Sequence, residues 1–183
     1  MENSERLWAP WRLEYVTGED ANTKLPEPEA WLDDADHGCF LCRAASDFGK
    51  SNEADRRQLV IARDGRSLVM LNRYPYNNGH LLVAPRRHVG ELADLTSDEH
   101  LECMEWLSRL TGVFRERIRS DGFNIGLNLG RAAGAGLPGH LHWHLVPRWS
   151  GDTNFMSSLA GTRVIPQSLE AMWELLTGAL AKS

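Results

Sequence analysis

The chain has 183 residues, 42% of them hydrophobic and 25% charged, with a formal net charge of −5 and a pI near 5.8. That length suits one ordinary domain with a full core, and the acidic balance argues against a general nucleic-acid backbone binder, which carries a basic face. No apolar run reaches the roughly eighteen residues of a membrane span, and Met1 to Arg12 read unlike a secretory leader.

In chain order, residues 1–36 carry Pro10, Pro26 and Pro28 among many charges, which predicts an irregular arm. Its large apolar residues (Leu7, Trp8, Trp11, Leu13, Tyr15 and Val16) are expected to pack on the body or on a partner subunit. Residues 37–183 read as a single domain. Two apolar runs, Gln58–Arg63 and Ser67–Asn72, flank Asp64-Gly65, a strong hairpin signal. The turn residues 74–79 then lead to a third strand, His80–Pro85. Thr96 or Ser97 caps a long helix on which Leu101, Met104, Leu107, Leu110, Phe114 and Ile118 recur at three- and four-residue steps. Asp121-Gly122 breaks that helix, Phe123–Asn128 forms a fourth strand, and the row beginning at His140 forms a fifth. Pro166 precedes a final helix from about Gln167 to Leu180. Strands joined by turns predict an α+β fold, a five-stranded antiparallel sheet with the long and C-terminal helices on one side.

The segment His140-Leu141-His142-Trp143-His144-Leu145-Val146 spends three of seven histidines on alternate positions. An extended chain sends alternate side chains to one face. The imidazoles therefore share a face, and Leu141, Trp143 and Leu145 share the core side. Such a row suits either a metal site or a nucleophile, because neutral imidazole offers a lone pair near pH 7. Upstream, Asn128-Leu129-Gly130-Arg131-Ala132-Ala133-Gly134-Ala135-Gly136 is a small-residue loop rich in amides, which suggests chemistry on phosphate. Cys39-Phe40-Leu41-Cys42 offers two thiolates for zinc or a redox dithiol. Three cysteines rule out a disulfide framework and favour a reducing cytoplasm. Cys103, in mid-helix, reads as an inert, partly buried thiol. His88 and His140 are candidates to complete a Cys2His2 site, although spacing alone does not select them. No partner suggests itself for His80, and His100 reads as solvated.

The whole stretch from Asn128 to Arg148 resembles the histidine-triad family of nucleotidyl hydrolases and transferases, whose signature His-φ-His-φ-His-φ-φ (φ apolar) is matched at all seven positions. The resemblance spans about Cys39 to Phe155. It is nearest to the fragile-histidine-triad branch and, within it, to bacterial diadenosine tetraphosphate phosphorylase-like proteins. Leu71-Asn72-Arg73-Tyr74-Pro75-Tyr76-Asn77-Asn78-Gly79-His80, Gly122 to Gly130, His140 to Trp149 and Gly151-Asp152-Thr153-Asn154-Phe155 carry it, as does the opening Leu7-Trp8-Ala9-Pro10-Trp11-Arg12. The resemblance implies a structural zinc on Cys39, Cys42, His88 and His140, and no organic cofactor. It also implies a ribose contact from Asn72, a base pocket lined by residues such as Leu71, and a homodimer whose two sheets run on into one another.

With a dinucleoside polyphosphate in place, His142 is the expected nucleophile, forming a covalent nucleotidyl-histidine. His144 would bond the phosphate or leaving oxygen. The Asn128 amide and the backbone N–H groups of Gly134, Ala135 and Gly136 would hold phosphate oxygens, and Trp149 could cap the substrate. The expected activity is cleavage of diadenosine tetraphosphate with inorganic phosphate as acceptor, giving ADP and ATP. Hydrolysis of dinucleoside polyphosphates or phosphoramidates by water, a non-enzymatic nucleotide-binding role, and a metal-dependent enzyme with zinc at the triad itself are the alternatives. The chain is expected in the cytoplasm, with neither nucleic acid nor membrane as partner.

Overall fold

The computed structural model describes residues 25–49, 52–152 and 165–181. Most of the arm, including Leu7 through Val16, lies outside them. Five strands form one antiparallel sheet in the order β1-β2-β3-β5-β4, with β1 Val60–Arg63, β2 Ser67–Leu71, β3 Leu81–Pro85, β4 Gly122–Leu127 and β5 Trp143–Arg148. The helices are α1 Phe40–Ala45, α2 Asn52–Gln58, α3 Ser97–Ile118 and α4 Leu169–Leu180. No helix among the described residues is long and apolar enough to cross a membrane.

The Asp64-Gly65 hairpin forms as the sequence predicts, with Asp64 N–H donating to Ser67 O at 2.9 Å. Its first strand begins later than expected. Gln58 closes α2 and Leu59 turns the chain with a φ of 64°, so extended structure starts at Val60. Helix α3 starts at Thr96, where the Thr96 side chain and Glu99 form a reciprocal capping box. It stops at Arg119 in the left-handed conformation, two residues before the expected Asp121-Gly122 break. The short helices α1 and α2 have no clear periodic signal, because six and seven residues hold fewer than two turns of pattern.

The long helix α3 and the C-terminal helix α4 share one side of the sheet, as expected, and the short helix α1 covers the other. On one side Val69, Leu71, Leu81, Val83, Trp143 and Leu145 join Leu107, Leu110 and Phe114 of α3 and Met172 and Leu176 of α4 in the main core. On the other, Val60, Leu68, Met70, Leu82 and Ala84 pack with Leu41, Ala44 and Ala45 of α1, and Trp31, Leu32 and Ala35 lean on this cluster. Strands β2 and β3 are buried on both faces for that reason, and alternation alone could not reveal it. Cys103 is fully buried, its Sγ 3.6 Å from Ser67 Oγ.

Candidate active site

Strand β5 carries the alternation that the sequence predicts. Leu141, Trp143 and Leu145 enter the main core, and His144 pairs with Leu82 on β3 and Gly126 on β4, on the opposite side. Regular pairing begins at Trp143, so His140 to His142 precede the strand proper.

His140 leaves the row to join Cys39, Cys42 and His88. One ligand atom from each of the four lies within 4.8 Å of all the others. His140 Nδ1 is 3.4 Å from both Cys39 Sγ and Cys42 Sγ, and His88 Nδ1 is 3.1 Å from Cys42 Sγ. Zn–S and Zn–N bonds near 2.3 and 2.1 Å imply tetrahedral edges of roughly 3.6 Å, so the donors already stand at coordination spacing. Pro85 O can only accept, and it lies 2.9 Å from His140 Nε2. That contact fixes the proton on Nε2 and turns the Nδ1 lone pair toward the thiols, as a metal ligand requires. Burial pushes the Cys42 thiol up to about 12, with Cys39 beside it adding to the rise. Cys39 is raised by burial as well. Burial also pulls His140 down to about 4. A largely buried set of two thiols and two imidazoles fits a metal cation, whose charge makes thiolates favourable there.

The scaffold around this cluster is dense. Arg86 donates from Nε and NH2 to Ala45 O at the end of α1. Arg87 forms a two-pronged pair with Glu99 of α3, both contacts 3.0 Å. The four consecutive residues Pro85 to His88 thus bind the cysteine helix, the long helix, His140 and the cluster itself.

The remaining histidines form a second, connected group. His142 Nδ1 lies 2.8 Å from His140 O, so Nδ1 carries the proton and Nε2 keeps its lone pair. His80 is the partner that sequence reasoning missed: its Nε2 lies 2.9 Å from His144 Nδ1, across a separation of 64 residues. Tyr76 N–H donates to His80 Nδ1 at 3.0 Å, which fixes His80 as an Nε2–H tautomer. His80 therefore donates to His144 Nδ1, and His144 holds its own proton on Nε2, a buried atom with no partner among the described residues. Gly79 delivers His80 with a φ of +71°, and a Cβ there would come within 2.9 Å of the Phe114 ring. No local signal links residue 80 to residue 144, so only the sheet brings them together.

Burial, then the neighbouring His144 and His142, lowers His80 to about 3. Burial, then His142, lowers His144 to about 4. Both stay neutral at physiological pH, whereas the unfolded chain protonates them near pH 6.5. Their contribution to stability is complete above that pH and is lost as pH falls toward 4. With two groups the slope is about 2.7 kcal/mol per pH unit near pH 5. Denaturant titrations between pH 7 and 4.5 should show this loss, and a His80→Asn, His144→Asn double variant should flatten it. An unchanged slope in that variant would refute the assignment.

The structure changes the standing of several other expected residues. Leu71 is fully buried in the main core, on the side away from His144, so it packs α3 and does not line a pocket. Met70 pairs with Leu82 and shares the histidine side. Asn72 lies beside His80, with Nδ2 at 3.3 Å from its Nδ1, and its Oδ1 accepts from Tyr74 N–H. Gly134 N–H is spent on Arg131 O and Ala135 N–H on Gly130 O within a tight turn. Two of the three loop amides expected to receive phosphate are thus occupied. Asn128 is half-buried just beyond β4. Trp149 is half-buried, and its indole N–H donates to Ile118 O at the end of α3. His100, expected in solvent, lies with Nε2 3.2 Å from Leu92 O. Arg148 makes a two-pronged pair with Asp152, at 2.6 and 2.8 Å.

The HIT domain family model matches residues 53–151. The AP-4-A phosphorylase of Mycobacterium tuberculosis is 40% identical over 178 residues, covering 97% of this chain and 85% of that protein. A Zn-bound histidine triad family protein from Mycobacterium smegmatis superposes with a TM-score of 0.56 at 32% identity, covering 68% of this chain and 84% of its own. Plasmodium falciparum diadenosine triphosphate hydrolase aligns with a TM-score of 0.58 over 94% of this chain and 97% of its own, at 16% identity, a likeness of fold alone.

Proposed function

The chain belongs to the HIT domain family, and from that premise we propose that it is a nucleotidyl transferase that cleaves diadenosine tetraphosphate with inorganic phosphate as acceptor. The similarity to the AP-4-A phosphorylase supports the substrate. The observation that carries the chemistry is the paired tautomer assignment, a lone pair on His142 Nε2 and an N–H on His144 Nε2.

His142 Nε2 attacks the α-phosphorus of one adenosine moiety. The P–N bond forms, the bond to the bridging oxygen breaks, and ATP leaves. The charge that develops on the imidazole is met through Nδ1–H by His140 O. His144 Nε2–H donates a hydrogen bond to the departing oxygen. A phosphate oxygen then attacks the same phosphorus, the P–N bond breaks, and ADP leaves with neutral His142 restored. Asn72 is assigned to the ribose, and Asn128 and the Gly136 amide to phosphate oxygens. A phosphate dianion needs no base, whereas water must lose a proton. His144, held as a donor and lowered to about 4, is poorly suited to take that proton, which supports phosphate over water as acceptor.

Zinc is the proposed occupant of the Cys39, Cys42, His88 and His140 cluster, supplying structural cross-linking between α1 and the start of β5. A homodimer through the exposed edge strand β4, where Ile125 is 48% exposed, completes the proposal.

The test is incubation of the purified protein with diadenosine tetraphosphate, with and without inorganic phosphate, and chromatographic separation of the nucleotides. ADP and ATP that appear only with phosphate are the expected result. AMP and ATP in both tubes would make the protein a hydrolase, and no turnover in either would leave a binding role.

A further inference from the structure

The catalytic scheme needs His144 as a donor at Nε2, and His80 sets that tautomer only while Tyr76 N–H stays on His80 Nδ1. A neutral imidazole does not choose its own tautomer; the partner of the other nitrogen does. The turn that carries Tyr76 therefore has to be held against β5. The β3–β5 ladder ends at Leu81 and Leu145, and past that point the Asn77 side chain makes a tie. Asn77 Nδ2 donates to Pro147 O at 3.0 Å and to Asp152 Oδ2 at 2.9 Å, across separations of 70 and 75 residues. Asn77 Oδ1 accepts from Asn78 N–H at 3.0 Å, and Asn77 O accepts from His80 N–H at 3.2 Å. The same residue thus grips β5 beyond His144 and the backbone of His80. Asp152 is fixed in turn by the two-pronged Arg148 pair and by Trp149 N–H at 3.3 Å. A carboxylate acceptor makes such bonds stronger than neutral ones.

We propose that Asn77, held by Asp152, is a positioning residue that keeps His144 a donor at Nε2 and so selects phosphate over water as acceptor. The proposal rests on the transferase reading. Without the tie the turn relaxes, Tyr76 N–H leaves His80 Nδ1, and His80 is free to carry its proton there. His80 Nε2 then accepts from His144 Nδ1–H, and His144 Nε2 presents a lone pair. The departing ATP loses its donor, which slows the first step. Water gains a base for the second. The water oxygen bonds to phosphorus, its proton passes to His144 Nε2, the P–N bond breaks with its electrons returning to His142 Nε2, and AMP leaves. The competing role is a brace, in which Asn77 only stiffens the turn. A brace acts on stability and leaves tautomers and products alone.

Long-range proton–nitrogen NMR spectra of the full chain separate the two roles, because they report which nitrogen of each imidazole carries the proton. The parent should show His80 and His144 protonated on Nε2. Asn77→Ala should bring in Nδ1-protonated forms of both. Asp152→Asn, which weakens the same bond from the other side without emptying its space, should do so too. In diadenosine tetraphosphate turnover with phosphate present, kcat should fall by about 10- to 100-fold at little change in KM, less than loss of the donor itself would cost. The share of AMP among the products should rise. Asn78→Ala is the control, since Asn78 Nδ2 ties the same turn to Gln167 at 2.8 Å, before α4. It should lower Tm and leave tautomers and product ratio alone. Unmoved tautomers and products in Asn77→Ala overturn the proposal, as does an equal shift in Asn78→Ala. The two readings fail separately, because the spectra need no nucleotide. Wild-type protein giving AMP and ATP without phosphate sinks the transferase reading, and a tautomer shift in the variants still upholds the positioning role. Phosphate-dependent products with unmoved tautomers do the reverse.

Discussion

His142→Ala should abolish turnover of diadenosine tetraphosphate, by about 10⁴-fold or more, and leave nucleotide binding intact. The size follows from the role. A residue that forms the covalent bond has no substitute, and removing a nucleophile that acts in concert with its partners costs nearly the whole chemical step. Binding survives because Asn72, Asn128 and the glycine-rich loop are untouched. The adduct supplies a second reading. Wild-type protein quenched during turnover should carry one adenylyl group, labile in acid as a phosphoramidate is, and the variant should carry none. Residual turnover within tenfold of wild type would overturn the nucleophile assignment, and an adduct on another residue would relocate it.

The parts of this molecule that were legible in the sequence are those set by short-range pattern. Alternation placed Leu141, Trp143 and Leu145 in the core and His144 opposite them, because the strand repeat of two leaves no other arrangement. Asp64-Gly65 and the Thr96 cap were legible because turn and cap chemistry is local. Leu71 was misplaced for an equally physical reason. A strand buried on both faces reads as a continuous apolar run, so nothing in Ser67–Leu71 says which residue faces which way. Only the pairing of Met70 with Leu82, and of Leu82 with His144, shows that Met70 lies on the histidine side. His80 was missed because its partner is reached across the sheet. The loop amides were misjudged because composition marks an amide-rich segment without showing that a tight turn uses two of them internally. The Cys-x-x-Cys was visible from spacing, whereas its completion by His88 and His140 followed only from the family resemblance, and the structure brings those four residues together. His88 and His140 converge on it through the β3–β5 pairing and the Pro85 carbonyl, and no spacing rule contains that contact.

Cys39→Ser should lower stability far more than it lowers the intrinsic chemical step. Cys39 caps the first turn of α1, its Sγ accepting from Cys42 N–H at 3.5 Å, and stands 3.4 Å from His140 Nδ1. Serine can keep the cap, since its hydroxyl is a good N-cap acceptor, but it is a poor ligand for zinc beside a thiolate and two imidazoles. The loss therefore falls on the metal. A structural zinc binds the folded chain and gives that binding free energy to folding. A loss of about 3 to 5 kcal/mol, the scale for disrupting a buried ionic site, corresponds to a fall in Tm of roughly 6 to 20 °C for a domain of this size. Zinc measured on the purified protein should drop from one per chain to well below one. A chelator should destabilise wild type and have little effect on the variant. The position of the cluster explains why catalysis is affected only through the fold. The cluster holds His140, whose carbonyl orients His142, while the attacking Nε2 and the His80–His144 pair lie outside it. Rate per folded molecule should stay within about tenfold at a temperature where the variant is folded. A variant that keeps its Tm and zinc content would refute the metal centre, and one that stays folded but loses all turnover would place the metal in the reaction.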